Sequence, residues 1–307
     1  MAIKIQQING KEDVKKVLQA IADKENASVF TFIASEKLIR TGPGSYGATS
    51  ITNNDLYALE DTIDKNCTDI KSAIFLIHSP GGNLSSSYNI ARFLRNRFDT
   101  LSFYVPYEAA SGATIMSLAG NSIVLGALGY LTPIDPQVKY KGEWVSSYGI
   151  VEKVSDLERR FQKSSYDEIP TPWKQMIDRL DLIHYRELET LAWEAKHYAM
   201  ELLRLADYTT ESAEAIAENF ARTIFPHSHC FDSRACIRMG LKIDETEKSL
   251  GYLKELKGII HFVNSNHEDI NKHYIEVAIP NRTTASAVES GRLGQAKNIR
   301  TRRLSSR

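Results

Sequence analysis

The chain has 307 residues, 42% of them hydrophobic and 25% charged, which is the balance of an ordinary globular protein with ample core. Lys plus Arg and Asp plus Glu each total 38, so the formal charge is zero. That argues against a globally basic nucleic-acid binder and against an acidic disordered chain. Three cysteines (Cys67, Cys230 and Cys236) are too few and too scattered for a disulfide framework or a cysteine-rich zinc site.

The opening, MAIKIQQINGKEDVKK, carries no apolar core of signal-peptide length, and no stretch approaches the roughly 20 apolar residues of a membrane span. A cytoplasmic protein with no transmembrane segment of its own is expected. Residues 11–26 place Val14, Val17, Leu18 and Ile21 on one helical face. A strand follows from Ser28, and TGPGSYG (41–47) reads as loop by its glycines and proline. Asn54 opens a second helical pattern through Leu56, Leu59 and Ile63. The apolar run AIFLI (73–77) stops abruptly at HSPGG, as in a strand buried on both faces. NLSSSYNIARFLRNRF is helical, LSFYVP (101–106) is a strand, EAASGATIMSLAG is a small-residue helix, and SIVLG (122–126) is a strand again. This alternation predicts an α/β core with crossover connections. Residues 172–206 are helical, with Trp173, Tyr185, Trp193 and Tyr198 marking a packing or subunit-contact face. Two further helices are expected over 210–221 and 232–240. The tail 281–307 holds seven Lys/Arg and one Glu and is expected to be disordered, a solvated end in preference to a nucleic-acid anchor.

Two glycine motifs could carry chemistry. Ser79-Pro80-Gly81-Gly82 lies at the end of a buried strand and before a helix. Its glycines allow either a tight structural turn or backbone N–H groups presented to developing negative charge. It lacks the Lys-Ser/Thr of a P-loop and the third glycine of a dinucleotide fingerprint. Ala109-Ala110-Ser111-Gly112-Ala113-Thr114 occupies a second such corner. There Ser111 is either a helix N-cap or a nucleophile whose neighbour, Gly112, supplies an adjacent N–H.

Together with Leu131-Thr132-Pro133-Ile134-Asp135-Pro136-Gln137, these ordered motifs resemble the Clp/crotonase-fold serine peptidases. More narrowly, they resemble the serine dehydrogenase proteinase family, related to signal peptide peptidase A and the Clp protease. The resemblance covers about residues 28–245. It implies an α/β fold of repeated strand–strand–helix units with added helices, and assembly into a homo-oligomer. Residues 1–27 would then be an N-terminal helix, 28–245 the peptidase-like domain, 246–280 a C-terminal extension and 281–307 the basic tail. It further implies a serine peptidase acting on peptides or proteins through Ser111, with the N–H groups of Gly82 and Gly112 as the oxyanion hole and no cofactor or metal.

The general base is less plain. The Clp protease carries a His about one strand and one turn beyond its serine, where this chain has Ile134-Asp135-Pro136-Gln137. Related signal peptide peptidases use a lysine kept neutral by burial, which makes Lys153 a candidate. Lys139 and Lys141 fall in a polar loop. The segment Pro226-His227-Ser228-His229-Cys230-Phe231-Asp232 offers His229 at the place where the family tends to carry a His before a final helix, while Asp232 either orients an imidazole or caps the helix. A zinc reading of His-x-His-Cys finds no second half in the chain. Asp135 is read equally as a turn residue or a catalytic one, and His78 as packing under the turn. Two rival functions stand beside the peptidase: a crotonase-like acyl-thioester enzyme, and a non-catalytic Clp-fold scaffold that has lost its base.

Overall fold

The computed structural model describes residues 8–35, 39–42, 45–47, 49–67, 69–140, 142–222, 226–266 and 273–281. The basic tail beyond Asn281 therefore lies outside the described residues.

The first helix, α1 (Lys11–Glu25), buries Val14, Leu18 and Ile21, the face its periodicity predicts. Strand β1 (Ser28–Ile33) follows. The segment read as loop contains two short strands, β2 (Ile39–Gly42) and β3 (Ser45–Gly47), paired antiparallel. Helix α2 (Asn53–Asn66) starts on a reciprocal Thr52/Asp55 capping box. Strand β4 (Ser72–His78) leads through the SPGG turn into α3 (Leu84–Arg97), whose N-cap Asn83 accepts the Ser86 N–H at 2.8 Å. Strand β5 (Thr100–Val105) and the two-residue β6 (Glu108–Ala109) precede the short α4 (Gly112–Ser117). After β7 (Ser122–Leu125) and β8 (Tyr130–Leu131), a hairpin of β9 (Gln137–Tyr140) and β10 (Glu143–Ser146) runs into α5 (Ser147–Phe161). The stretch 172–206 is two helices, α6 (Thr171–Ile177) and α7 (Leu182–Leu205). The break falls at Asp181, whose carboxylate accepts the N–H groups of Ile183 and His184 and so starts a new helix. Helices α8 (Thr210–Ala221), α9 (Ser233–Arg238) and α10 (Glu247–Asn266) and strand β11 (Val277–Ala278) complete the fold.

The main sheet has the order β11-β1-β4-β5-β7, parallel except for the edge strand β11. Its two faces explain the unbroken apolar runs. Phe75 and Ile77 enter one core with α2, α3, α4, α7 and α8, whereas Ile74 and Leu76 enter the other with α1 and α10. On the first face Phe30, Phe75 and Phe103 are in register across three strands, with ring centroids 4.6 Å and 5.7 Å apart. Such aromatic pairs add about 0.5–1.5 kcal/mol each beyond burial. Residues 246–280 supply α10 and the edge strand, so they close the second core.

A second, smaller ladder crosses the carboxyl end of the sheet. Ser79 bridges Ala109, β6 pairs with β8 in parallel, and Leu131 bridges Phe231. Each of β4, β5 and β7 is thus followed by a short second strand or bridge, and the first two then lead directly into helices. This is the α/β, strand–strand–helix architecture expected from the motifs. Both glycine motifs lie where these units turn, at the carboxyl ends of parallel strands, the usual place for sites in such sheets. Among the described residues no helix is long and apolar enough to cross a membrane.

Candidate active site

The SPGG loop leaves β4 and is clamped from one side by Ile51. Ile51 N–H donates to the Gly81 carbonyl and its own carbonyl accepts the Asn83 N–H, both at 2.9 Å. Strand-like alternation then turns the Gly82 N–H away from Ile51. Gly81 has φ +97°, a conformation that favours glycine, and a Cβ there would stand 2.8 Å from Gly112 N and 2.9 Å from Ser111 Cβ. The two motifs are therefore in direct backbone contact, 30 residues apart in sequence.

Ser111 is held in a strained conformation. Its φ and ψ are 48° and −113°, those of the first central residue in a type II′ turn, where glycine is the normal occupant. The turn is closed by Ala113 N–H donating to the Ala110 carbonyl at 2.8 Å. Ser111 N–H donates to Thr132 Oγ1 at 2.8 Å, which ties the turn to the segment that carries Asp135. Ser111 occupies the N-cap position of α4, yet its hydroxyl makes no capping bond. The strain and the missing capping bond argue against a simple helix cap. Gly112, the first helical residue, has an N–H with no acceptor within its own helix. A Cβ on Gly112 would lie 3.1 Å from Gly82 N, so the two candidate oxyanion donors are neighbours.

Ser111, Gly82 and Gly112 line one cavity of about 760 Å³. Leu84, Ile115, Ile134, Leu191 and the largely exposed Trp144 give it an apolar wall, and Glu194 adds a carboxylate. Among the described residues, the histidine that lines this cavity is His227. Its Nδ1 lies 2.8 Å from Oδ1 of Asp135, a carboxylate only 3% exposed whose Oδ2 accepts from Gln137 Nε2 at 3.0 Å. Because an ionised carboxylate can only accept, Nδ1 carries the proton, and Nε2 is the nitrogen able to take another.

The structure brings Ser111, Gly82 and Gly112 together and leaves the two proposed bases outside. Lys153 is exposed on α5, its Nζ 5.1 Å from the Trp173 ring centroid, and does not line the cavity. His229 makes a T-shaped contact with Phe231, ring centroids 4.9 Å apart, and is not among the cavity's lining residues. Asp232 caps α9 by accepting the Ala235 N–H at 2.8 Å. Sequence reasoning singled out His229 from this segment, whereas the ring that lines the cavity is that of His227. The turn from Pro226, whose carbonyl accepts the His229 N–H at 2.8 Å, decides which of the two rings faces the cavity. Among the described residues no three His, Cys, Asp or Glu side chains gather as metal ligands.

A family model described as ClpP-like SDH-type serine proteinase matches residues 1–159. An uncharacterized protein of Methanocaldococcus jannaschii is 27% identical over 128 residues, 40% of this chain and 42% of that protein. A second from the same organism is 32% identical over 84 residues, 26% of this chain and 29% of the relative. The chain thus aligns with less than half the length of either. Among solved structures, a mutant of the 1510-N membrane-bound stomatin-specific protease is similar with a TM-score of 0.41 and 13% identity, covering 66% of this chain and 78% of that one.

Proposed function

The chain belongs to the ClpP-like SDH-type serine proteinases, matched over residues 1–159, and from that premise we propose that it hydrolyses peptide bonds through an acyl-enzyme on Ser111. The observation that carries this reading is the strained Ser111 in one cavity with a carboxylate-paired histidine and two glycine N–H groups.

In this mechanism His227 Nε2 takes the Ser111 hydroxyl proton as Oγ attacks the substrate carbonyl carbon. Asp135 fixes the tautomer and ring plane and stabilises the imidazolium. The carbonyl oxygen, becoming negative, is received by the N–H groups of Gly82 and Gly112. The imidazolium then gives its proton to the departing amine. Water, deprotonated by the same nitrogen, releases the acid and restores Ser111. The histidine and the aspartate reach the site from positions outside and inside the LTPIDPQ motif respectively, so the roles of Lys153 and His229 pass to His227. The scaffold alternative rested on a missing base, and the His227–Asp135 pair supports the enzyme over it.

The substrates would be peptides or unfolded protein segments, and the protein a cytoplasmic homo-oligomer. Leu182, Ile183 and Trp193 on α7 are 71%, 78% and 60% exposed, which supports a subunit-contact role for this face. The test is incubation of a defined peptide library with the wild type and with Ser111→Ala, with products read by mass spectrometry. Cleavage by the wild type alone supports the reading, and equal cleavage by both, or none by either, overturns it.

A further inference from the structure

A second Ser–His–Asp set lies buried behind the cavity and is not used by the chemistry above. His273 Nε2 stands 2.9 Å from Ser79 Oγ, and His273 Nδ1 stands 2.9 Å from Asp55 Oδ1. Ser79 is 0% exposed, Asp55 4% and His273 5%, and Phe32 stacks on the imidazole at 4.0 Å. No substrate can reach this serine, so the group cannot be a second catalytic centre.

We propose that Asp55, His273 and Ser79 form a buried relay that fixes the oxyanion loop, which makes Ser79 and His273 positioning residues for acyl transfer at Ser111. The inference rests on the peptidase reading. Gly81-Gly82 is the most permissive dipeptide in backbone terms, so the N–H of Gly82 needs outside restraint to be aimed before substrate arrives. Ser79 supplies it from both its side chain and its backbone. Its Oγ accepts the Gly81 N–H at 3.2 Å, its carbonyl accepts the Ala110 N–H at 3.0 Å, and its own N–H donates to the Glu108 carbonyl at 3.1 Å. One residue thus joins the oxyanion loop to the peptide preceding the nucleophile.

The relay has one sense. The Asp55 carboxylate takes the Thr52 N–H at 2.8 Å and the Thr52 hydroxyl at 3.2 Å on Oδ2, and the His273 Nδ1–H on Oδ1. In the neutral ring Nε2 is then a pure acceptor, so the Ser79 hydroxyl must donate to it. The lone pairs of Ser79 Oγ remain for the Gly81 N–H. His273 is itself held by the neighbouring residue, Tyr274, which exchanges backbone bonds with Ile33 at 2.7 Å and 3.2 Å. A segment beyond residue 272, far outside the family-matched region, therefore sets the geometry of a loop at residues 79–82.

The test combines nitrogen-15 NMR of the histidine rings with the kinetics of Ser111 labelling by a fluorophosphonate. In the wild type His273 should show the Nδ1–H tautomer, and Asp55→Asn, whose amide can donate, should convert it to Nε2–H. Ser79→Ala should stay folded and lower the maximal labelling rate about 10- to 100-fold while the half-saturating probe concentration changes less than twofold, as expected when an oxyanion donor is misaimed. His273→Gln serves as the second variant should Asp55→Asn fail to fold, and it should show the same split. A wild-type rate in folded Ser79→Ala, or a loss shared equally between rate and saturation, overturns the relay while leaving the peptidase reading intact. A wild type that takes no label overturns the peptidase reading and this inference with it.

Discussion

Replacing Ser111 with glycine should abolish activity and at the same time make the protein more stable. The residue holds φ 48° and ψ −113°, which an L side chain adopts at a cost of about 1–3 kcal/mol. Glycine removes that cost and adds about 0.5–1 kcal/mol of unfolded-chain entropy relative to alanine. Ser111→Ala keeps the strain and loses the hydroxyl, so it is the proper reference. The backbone bond from residue 111 to Thr132 Oγ1 survives in both. Taking the middle of each range, Ser111→Gly should exceed Ser111→Ala by about 1 kcal/mol, a rise of roughly 2 °C in Tm for a chain of this size. Urea unfolding of the two variants at matched protomer concentration measures the difference directly. A Ser111→Gly protein no more stable than Ser111→Ala would refute the claim that the nucleophile sits on stored backbone strain.

Asp135→Asn should lower kcat by roughly 10³–10⁴-fold with little change in KM, because the amide favours the wrong His227 tautomer; steady-state kinetics on a peptide substrate decides it. Gly82→Ala would place a Cβ 2.6 Å from the Ile51 carbonyl oxygen, so the loop must move, with a stability loss on the order of 2–4 kcal/mol by denaturant unfolding and a large fall in kcat. Glu25, at the end of α1, meets Lys248 at 2.6 Å and accepts from the Tyr252 hydroxyl. Burial pushes its pKa up, but these partners outweigh it and hold the carboxyl below its ordinary 4.5. The unfolded chain therefore binds that proton first, so this stabilisation is present above about pH 4.5 and is lost as pH falls through the lower folded value. Acid unfolding of Glu25→Gln should show a shallower loss over that range, and an unchanged slope would count against the contact.

The unbroken run at 73–77 was legible as a doubly buried strand because its alternate residues enter two different cores. Ser79-Pro80-Gly81-Gly82 and Ala110-Ser111-Gly112-Ala113 point to a candidate site because glycines at strand ends allow backbone N–H groups to be presented to substrate as well as tight turns. No local pattern singles out a candidate base. His227 and His229 differ only in which side of one turn they leave, and Asp135 reads equally as a turn residue or a catalytic one until a histidine from 92 positions away is seen against it. Lys153 satisfied the spacing expected of a lysine base, but its helix faces solvent and Trp173. The Asp55–His273 pair spans 218 positions and carries no local pattern at all. Contacts of that range are set by the docking of β11 on β1, which depends on the whole sheet.

Activation of Ser111 by His227 is read from the rate of fluorophosphonate labelling, followed by intact mass. The set is the wild type, Ser111→Ala, His227→Ala, His229→Ala and Lys153→Ala. One adduct is expected on the wild type, none on Ser111→Ala, and a rate at least 100-fold lower on His227→Ala. His229→Ala and Lys153→Ala should label within about threefold of the wild type, since neither ring nor ammonium enters the cavity. Full-rate labelling of His227→Ala, with loss in Lys153→Ala or His229→Ala, would show that His227 is not the base.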